Sequence, residues 1–162
     1  MPVPEKYNSK YNLGVGGAVV HEGKLLMVKR ASRRGRGNWQ IPGGFVEPDE
    51  TIELAVTREV FEESGVESKV KSILGIRNRY DDNSDNSTYV VFLLEYVGGT
   101  PTADTTETSE AKFFTLDEIK SLEQVPPINL KVAEHALNTN PDTLKPEQVT
   151  GPNGNLYTLF IG

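Results

Sequence analysis

Glu59, Glu62 and Glu63 carry the clearest chemistry in this chain of 162 residues. On a helix, positions i, i+3 and i+4 share one face, so the three carboxylates fall within an arc of about 100°. Like charges at that spacing cost roughly 0.2–0.5 kcal/mol per pair on an exposed helix. Arg58, four residues before Glu62, is the one obvious local cation. A bound divalent cation would remove the repulsion. With 0 cysteines and 2 histidines in the chain, the donors on offer are oxygens, which favour hard Mg²⁺ and admit Mn²⁺. Taken alone, the same stripe also fits a solvated acidic helix face. Pro42-Gly43-Gly44, just upstream, permits close backbone approach and could turn the Gly43 carbonyl toward a metal, or it is an ordinary strand-to-helix turn.

Cations that could meet a substrate lie elsewhere. The loop Ala31 to Asn38 is rich in glycine and carries Arg33, Arg34 and Arg36, while Arg77 and Arg79 come later. Arginine suits exposed phosphate oxygens because its guanidinium offers paired donors. Trp39, Phe45, Tyr80 and Tyr89 could stack on a base, with core packing as the default for each. Arg33, Arg36, Arg79 and Tyr80 are the candidate substrate-binding residues. Local cations matter here because the formal net charge is −6. That balance opposes a nonspecific nucleic-acid surface, which needs an electropositive footprint.

These residues need elements to position them. Gly14 to Val20 and Lys24 to Arg30 read as two strands joined by a turn at His21-Glu22-Gly23. Glu50 to Ser64 reads as a helix, with acidic residues in its first turn and Gly65 ending it. Glu50 is placed to pair with Arg58. Leu54 and Phe61 fall on one side of that helix and Val56 and Val60 on another, which predicts a helix packed between two layers. Val66 to Tyr80 and Thr88 to Val97 carry the β-branched and aromatic content of long strands of one sheet. Thr115-Leu116-Asp117-Glu118 fits a capping box for a short helix to about Leu122, and Pro127 can open another that ends before Pro141. Strands mixed with helices predict an α/β or α+β layered domain over residues 1–139. Residues 140–162 read as a C-terminal extension with three prolines, no helical period and a turn at Asn153-Gly154.

Gly44, Glu50, Arg58, Glu59, Glu62, Glu63 and Gly65, with aliphatic Val60 and Val66, form the pattern G-x5-E-x7-R-E-V-x-E-E-x-G-V. This resembles the signature box of the Nudix hydrolases, with every fixed position filled. At average usage, seven fixed positions match by chance with a probability on the order of 10⁻⁸ per start point. The resemblance implies an α/β/α sandwich with a mixed sheet and a box helix that holds metal ions through Glu59, Glu62 and Glu63. A further acidic ligand comes from a later loop, where Glu107 is preferred to Glu110. It also implies hydrolysis of a diphosphate linkage in a nucleoside diphosphate derivative, such as a nucleotide sugar or an ADP-ribose-like compound. Glu59 and Glu62 would act in the chemistry with Arg58 as their orienter. Alternatives are a nucleoside triphosphate pyrophosphohydrolase and a non-catalytic nucleotide-sensing module. The family's NADH-pyrophosphatase motif is missing after the box. The proline of many ADP-ribose pyrophosphatases is absent from Tyr80 to Asn83.

Other chemistries fail on spacing. Gly17 to Leu25 misses the P-loop because its glycines are one residue too far apart and Leu25 stands where Ser or Thr is needed. Gly14-Val15-Gly16-Gly17 lacks the third glycine of a dinucleotide fingerprint, and there is no G-x-S-x-G elbow. No apolar run reaches a membrane span, and the N-terminus MPVPEKYNSK lacks the apolar stretch of a signal peptide. The expectation is a cytoplasmic monomer or homodimer acting on a small nucleotide, without membrane or nucleic-acid polymer.

Overall fold

The computed structural model describes residues 11–32, 35–79 and 86–162. β1 (Tyr11–His21) and β2 (Lys24–Arg30) form the expected hairpin, with Val20 opposite Leu25 and His21 opposite Lys24. Glu22 and Gly23 take φ of 50° and 74°, the two positive values of a turn whose twist suits a hairpin. β3 (Trp39–Gln40) pairs with β2, and β4 (Gly43–Phe45) pairs with β1. After α1 (Ile52–Ser64), β5 (Glu67–Arg79) and β6 (Asn86–Gly98) run antiparallel. β6 then lies parallel to β1, and β7 (Thr108–Phe114) pairs with β2. The resulting path through the mixed sheet is β3-β2-β1-β6-β5.

Alternation along β6 shows why both faces are covered. Val90, Phe92 and Leu94 enter one core cluster with Ala55, Val56 and Val60 of α1. Val91 and Leu93 enter a second, with Ile119 from α2 (Leu116–Ser121) and Ala133 and Ala136 from α3 (Pro127–Ala136). Successive strand residues point to opposite faces, so a central strand with an unbroken apolar run from Val90 to Leu94 demands a layer on each side. The α/β/α sandwich follows. Helix α1 sits close on β1 at Gly17, where an added Cβ would stand 2.5 Å from Val60 Cγ2 and 2.7 Å from Leu94 Cδ1. The capping box at Thr115 and Glu118 is present with both reciprocal hydrogen bonds.

One expectation is corrected, and the C-terminal stretch gains strands that were not foreseen. Helix α1 buries one face, not two: Leu54 is 60% and Phe61 54% exposed, while Ala55, Val56 and Val60 are fully buried. Among the described residues no layer covers the second apolar stripe. The C-terminal extension, read as lacking a helical period and turning at Asn153-Gly154, is a hairpin of β8 (Lys145–Thr150) and β9 (Leu156–Ile161) around a short 3₁₀ turn at Pro152–Gly154. It meets the sheet through paired backbone bonds between Leu144 and Ile73 and through Phe160, edge-on to Phe92 at 5.7 Å. No helix among the described residues is long and apolar enough to cross a membrane.

Candidate active site

Helix α1 begins at Ile52, two residues after the expected Glu50, which stays in the preceding loop. Thr51 caps it by accepting from Leu54 N–H at 3.2 Å, and Gly65 ends it in the left-handed conformation at φ 69°. Between those stops Arg58 becomes a hub. Its Nε and Nη2 grip the two oxygens of Glu50 at 2.9 and 2.6 Å, and Nη1 reaches Glu59 at 2.9 Å and Glu62 at 3.2 Å. Nη2 also donates to the Phe45 carbonyl at 3.2 Å, which ties the helix to the turn leaving β4. The Arg58 hydrogen bonds, aided by the Glu47 N–H, hold the Glu50 carboxyl down at about 2. Glu50 in turn is the largest influence raising the pKa of Arg58 further above its already high value.

The other carboxylates are pushed the opposite way. Burial raises Glu59 above the usual carboxylate range, Arg58 opposes the rise, and Glu62 and Glu107 add to it. Glu63 is only 6% exposed. Burial drives its carboxyl up to about 8, the Gly43 N–H at 3.1 Å pulls it back, and Glu59, Glu107 and Asp104 push it up again. Gly44 leaves the room these groups need, since a Cβ there would stand 2.5 Å from the Glu59 carboxylate.

Glu107 arrives on a loop built by Asp104. One Asp104 oxygen accepts the backbone N–H groups of Thr106, Glu107 and Thr108, each at 2.9 Å. Burial raises the Asp104 carboxyl, and those three donors outweigh it and leave it lowered. Thr108 Oγ1 donates to the Glu63 carbonyl at 2.9 Å, which fastens the loop to the last turn of α1. Glu110 points elsewhere and pairs with Lys29 at 3.1 Å.

A cavity of about 830 Å³ joins these groups. Glu59, Glu62, Glu63, Arg58, Gly43, Glu107 and Arg79 all line it, whereas Arg36 does not. Arg33 and Tyr80 lie outside the described residues. Trp39 is a core residue, edge-on to Phe114 at 5.0 Å. Sequence reasoning gave no place in the site to Arg30, Gln40, Asn129 or Ile128, all of which line the cavity. Asn129 is buried and its Oδ1 accepts the Ile41 N–H at 3.0 Å, joining α3 to the segment before β4. A lone asparagine after Pro126-Pro127 carries no sequence signal for that.

The donor chemistry fits a hard divalent cation. All the acidic groups are oxygen donors, and Glu63 is buried beside like charges with the Gly43 N–H as its hydrogen-bond donor among the described residues. Their present arrangement is not a closed ligand shell. Among the described residues no three acidic side chains converge on one point, because Arg58 holds Glu59 and Glu62 while Gly43 holds Glu63.

The family model described as NUDIX domain matches residues 10–136. The "ADP-ribose pyrophosphatase" of Methanocaldococcus jannaschii is 39% identical over 111 residues, covering 68% of this chain and 65% of that protein. The "MutT-like protein" of Streptomyces ambofaciens is 34% identical over 110 residues, 67% of each chain. This chain thus spans about two thirds of these relatives' length. The crystal structure of a MutT NUDIX hydrolase from Burkholderia pseudomallei superposes with a TM-score of 0.67 at 28% identity, covering 76% of this chain and 96% of the other. With the complete box running from β4 through α1 to Val66, and with Glu59, Glu62 and Glu63 lining one cavity, the chain belongs to the NUDIX domain family, the Nudix hydrolases.

Proposed function

We propose that this chain hydrolyses the diphosphate linkage of a nucleoside diphosphate derivative of the ADP-ribose kind, with Mg²⁺ or Mn²⁺ as cofactor. The observation that carries the reading is Glu63: a carboxyl 6% exposed, held up at about 8 and facing the cavity together with Glu59, Glu62 and Glu107. A buried carboxylate among like charges is costly unless a cation joins it. The name of the Methanocaldococcus jannaschii relative supports the ADP-ribose class.

In this reading Glu59, Glu62 and Glu63, with the Gly43 carbonyl and Glu107 from its loop, hold the cation. When bound, it neutralises phosphate charge and lowers the pKa of the attacking water. Arg58 orients Glu59 and Glu62, and Glu50 keeps Arg58 in place. Glu59, whose proton affinity burial raises, takes the proton from the water. Arg79, which lines the cavity, offers its guanidinium to the substrate, with Arg33 and Tyr80 as further proposed contacts.

The test is a screen of pure ADP-ribose, nucleotide sugars and nucleoside triphosphates with Mg²⁺, with products identified by mass. AMP and ribose 5-phosphate from ADP-ribose are the expected products. Clear preference for a triphosphate would replace the substrate class, and binding of ADP-ribose without turnover would make the chain a sensing module.

A further inference from the structure

Tyr89 of β6 stands between Gly14 of β1 and Arg77 of β5, its direct neighbours in the two strand registers. Its ring lies in a cradle that glycine alone permits. A Cβ on Gly14 would sit 2.9 Å from ring carbon Cδ2, one on Gly16 would collide with the hydroxyl, and one on Gly43 would stand 2.5 Å from the hydroxyl oxygen. The ring therefore spans from the middle of the sheet to Gly43, whose N–H holds Glu63. On it rests Arg77, with its guanidinium carbon 5.2 Å from the ring centre.

Arg77 is a poor surface cation and a good ligand group. Its Nη2 donates to buried Ser87 Oγ at 2.7 Å, which fixes the plane of the guanidinium. Its Nε is shielded from solvent and has no hydrogen-bond partner among the described residues. No described carboxylate forms an ion pair with it. Burial, and then the charge of Arg79, lowers its pKa, so an anion beside it would relieve both effects. Both arginines line the cavity that holds the acidic wall of α1. One wall calls for a cation and the other for an anion, with Tyr89 setting the spacing between them.

We propose that Arg77, seated on Tyr89, is the anchor for the second phosphate of the diphosphate, the one not held at the α1 carboxylates. The proposal rests on the diphosphate reading of the site, deepens it by assigning two anion subsites, and makes Arg77 a specificity residue. An arginine clamp of this kind binds through charge-assisted hydrogen bonds, while stacking on an aromatic ring keeps its orientation.

The test measures binding of ADP in Mg²⁺ by calorimetry for the wild type, Arg77→Gln and Arg77→Lys, with melting temperatures alongside. Loss of hydrogen bonds to a charged group predicts ADP binding weaker by about tenfold or more in Arg77→Gln. Wild-type affinity in that variant would overturn the anchor. Should Arg77→Gln melt well below wild type, Arg77→Lys decides: recovery of most of the affinity supports the anchor, and an affinity as poor as that of the glutamine variant overturns it. Turnover of ADP-ribose by the wild type is scored separately. A wild type that fails to hydrolyse ADP-ribose, with ADP binding lost on Arg77→Gln, would remove ADP-ribose as the substrate and leave the anchor standing.

Discussion

Arg58 closes a two-pronged grip on Glu50, with Nε and Nη2 at 2.9 and 2.6 Å from the two carboxylate oxygens. The pair crosses from the loop before α1 to the middle of the helix and leaves Nη1 for Glu59 and Glu62. Arg58 is thus the joint between the stability of the box and the direction of its carboxylates.

Replacing Arg58 with alanine should cost about 1–3 kcal/mol of stability, the range for stranding partly buried hydrogen-bonded groups. It should also lower kcat, because Glu59 and Glu62 lose their shared guide. Thermal melting and steady-state kinetics on the same preparation check both. A variant that matched wild type in each would remove the orienting role.

The Glu50 grip has a pH signature. Its carboxyl sits at about 2 in the fold against an ordinary 4.5, so the unfolded chain takes up the proton first as pH falls. The stabilisation is therefore complete above about 4.5 and disappears as pH falls toward about 2. Melting curves of wild type and Glu50→Gln should differ most at neutral pH and converge across that window. A gap that stayed constant through the acid range would show that the charge of Glu50 contributes nothing.

Glu62→Gln and Glu63→Gln should each lower kcat by at least about tenfold, or ~1.4 kcal/mol of barrier. Their effects on stability should diverge from that loss. Glutamine at position 63 keeps an acceptor for the Gly43 N–H and removes a buried like charge, so the metal-free variant should melt no lower than wild type. A collapse of its melting temperature would mean that the Glu63 charge is structural.

Gly44→Ala tests the crowding at the turn. The new methyl would meet the Glu59 carboxylate at 2.5 Å, and the side chain can swing away without unfolding the helix. Activity should fall by about tenfold or more while melting changes little. Unaltered kcat and KM would show that the placement of Glu59 is not limiting.

What could be read from the sequence was mostly local. The Glu22-Gly23 turn, the Gly65 stop of α1 and the capping box at Thr115 each depend on residues within a few positions of one another, and each is present. The box glutamates were legible because four-residue spacing alone puts them on one face. Leu54 and Phe61 misled because helical periodicity shows that a side is apolar, not that another layer covers it. The β8–β9 hairpin was hidden by Pro146 and Pro152 and by strands that are largely exposed. Tyr89 was set aside as core because its meaning depends on three glycines and an arginine brought together by strands far apart in sequence. Glu107 was chosen over Glu110 through family resemblance, and the Asp104-built loop that brings it to the cavity came to light with the fold.

The most direct measurement is hydrolysis of ADP-ribose in ¹⁸O-labelled water, run with Mg²⁺ and again in excess chelator. Attack on phosphorus with the cation held by α1 places the label on a phosphate of AMP or of ribose 5-phosphate, and turnover stops in chelator. Label on a sugar carbon would mean that the carboxylates cleave a C–O bond as a glycosidase does. Either that outcome or full turnover in chelator would contradict a metal-dependent diphosphate hydrolase built on Glu59, Glu62 and Glu63.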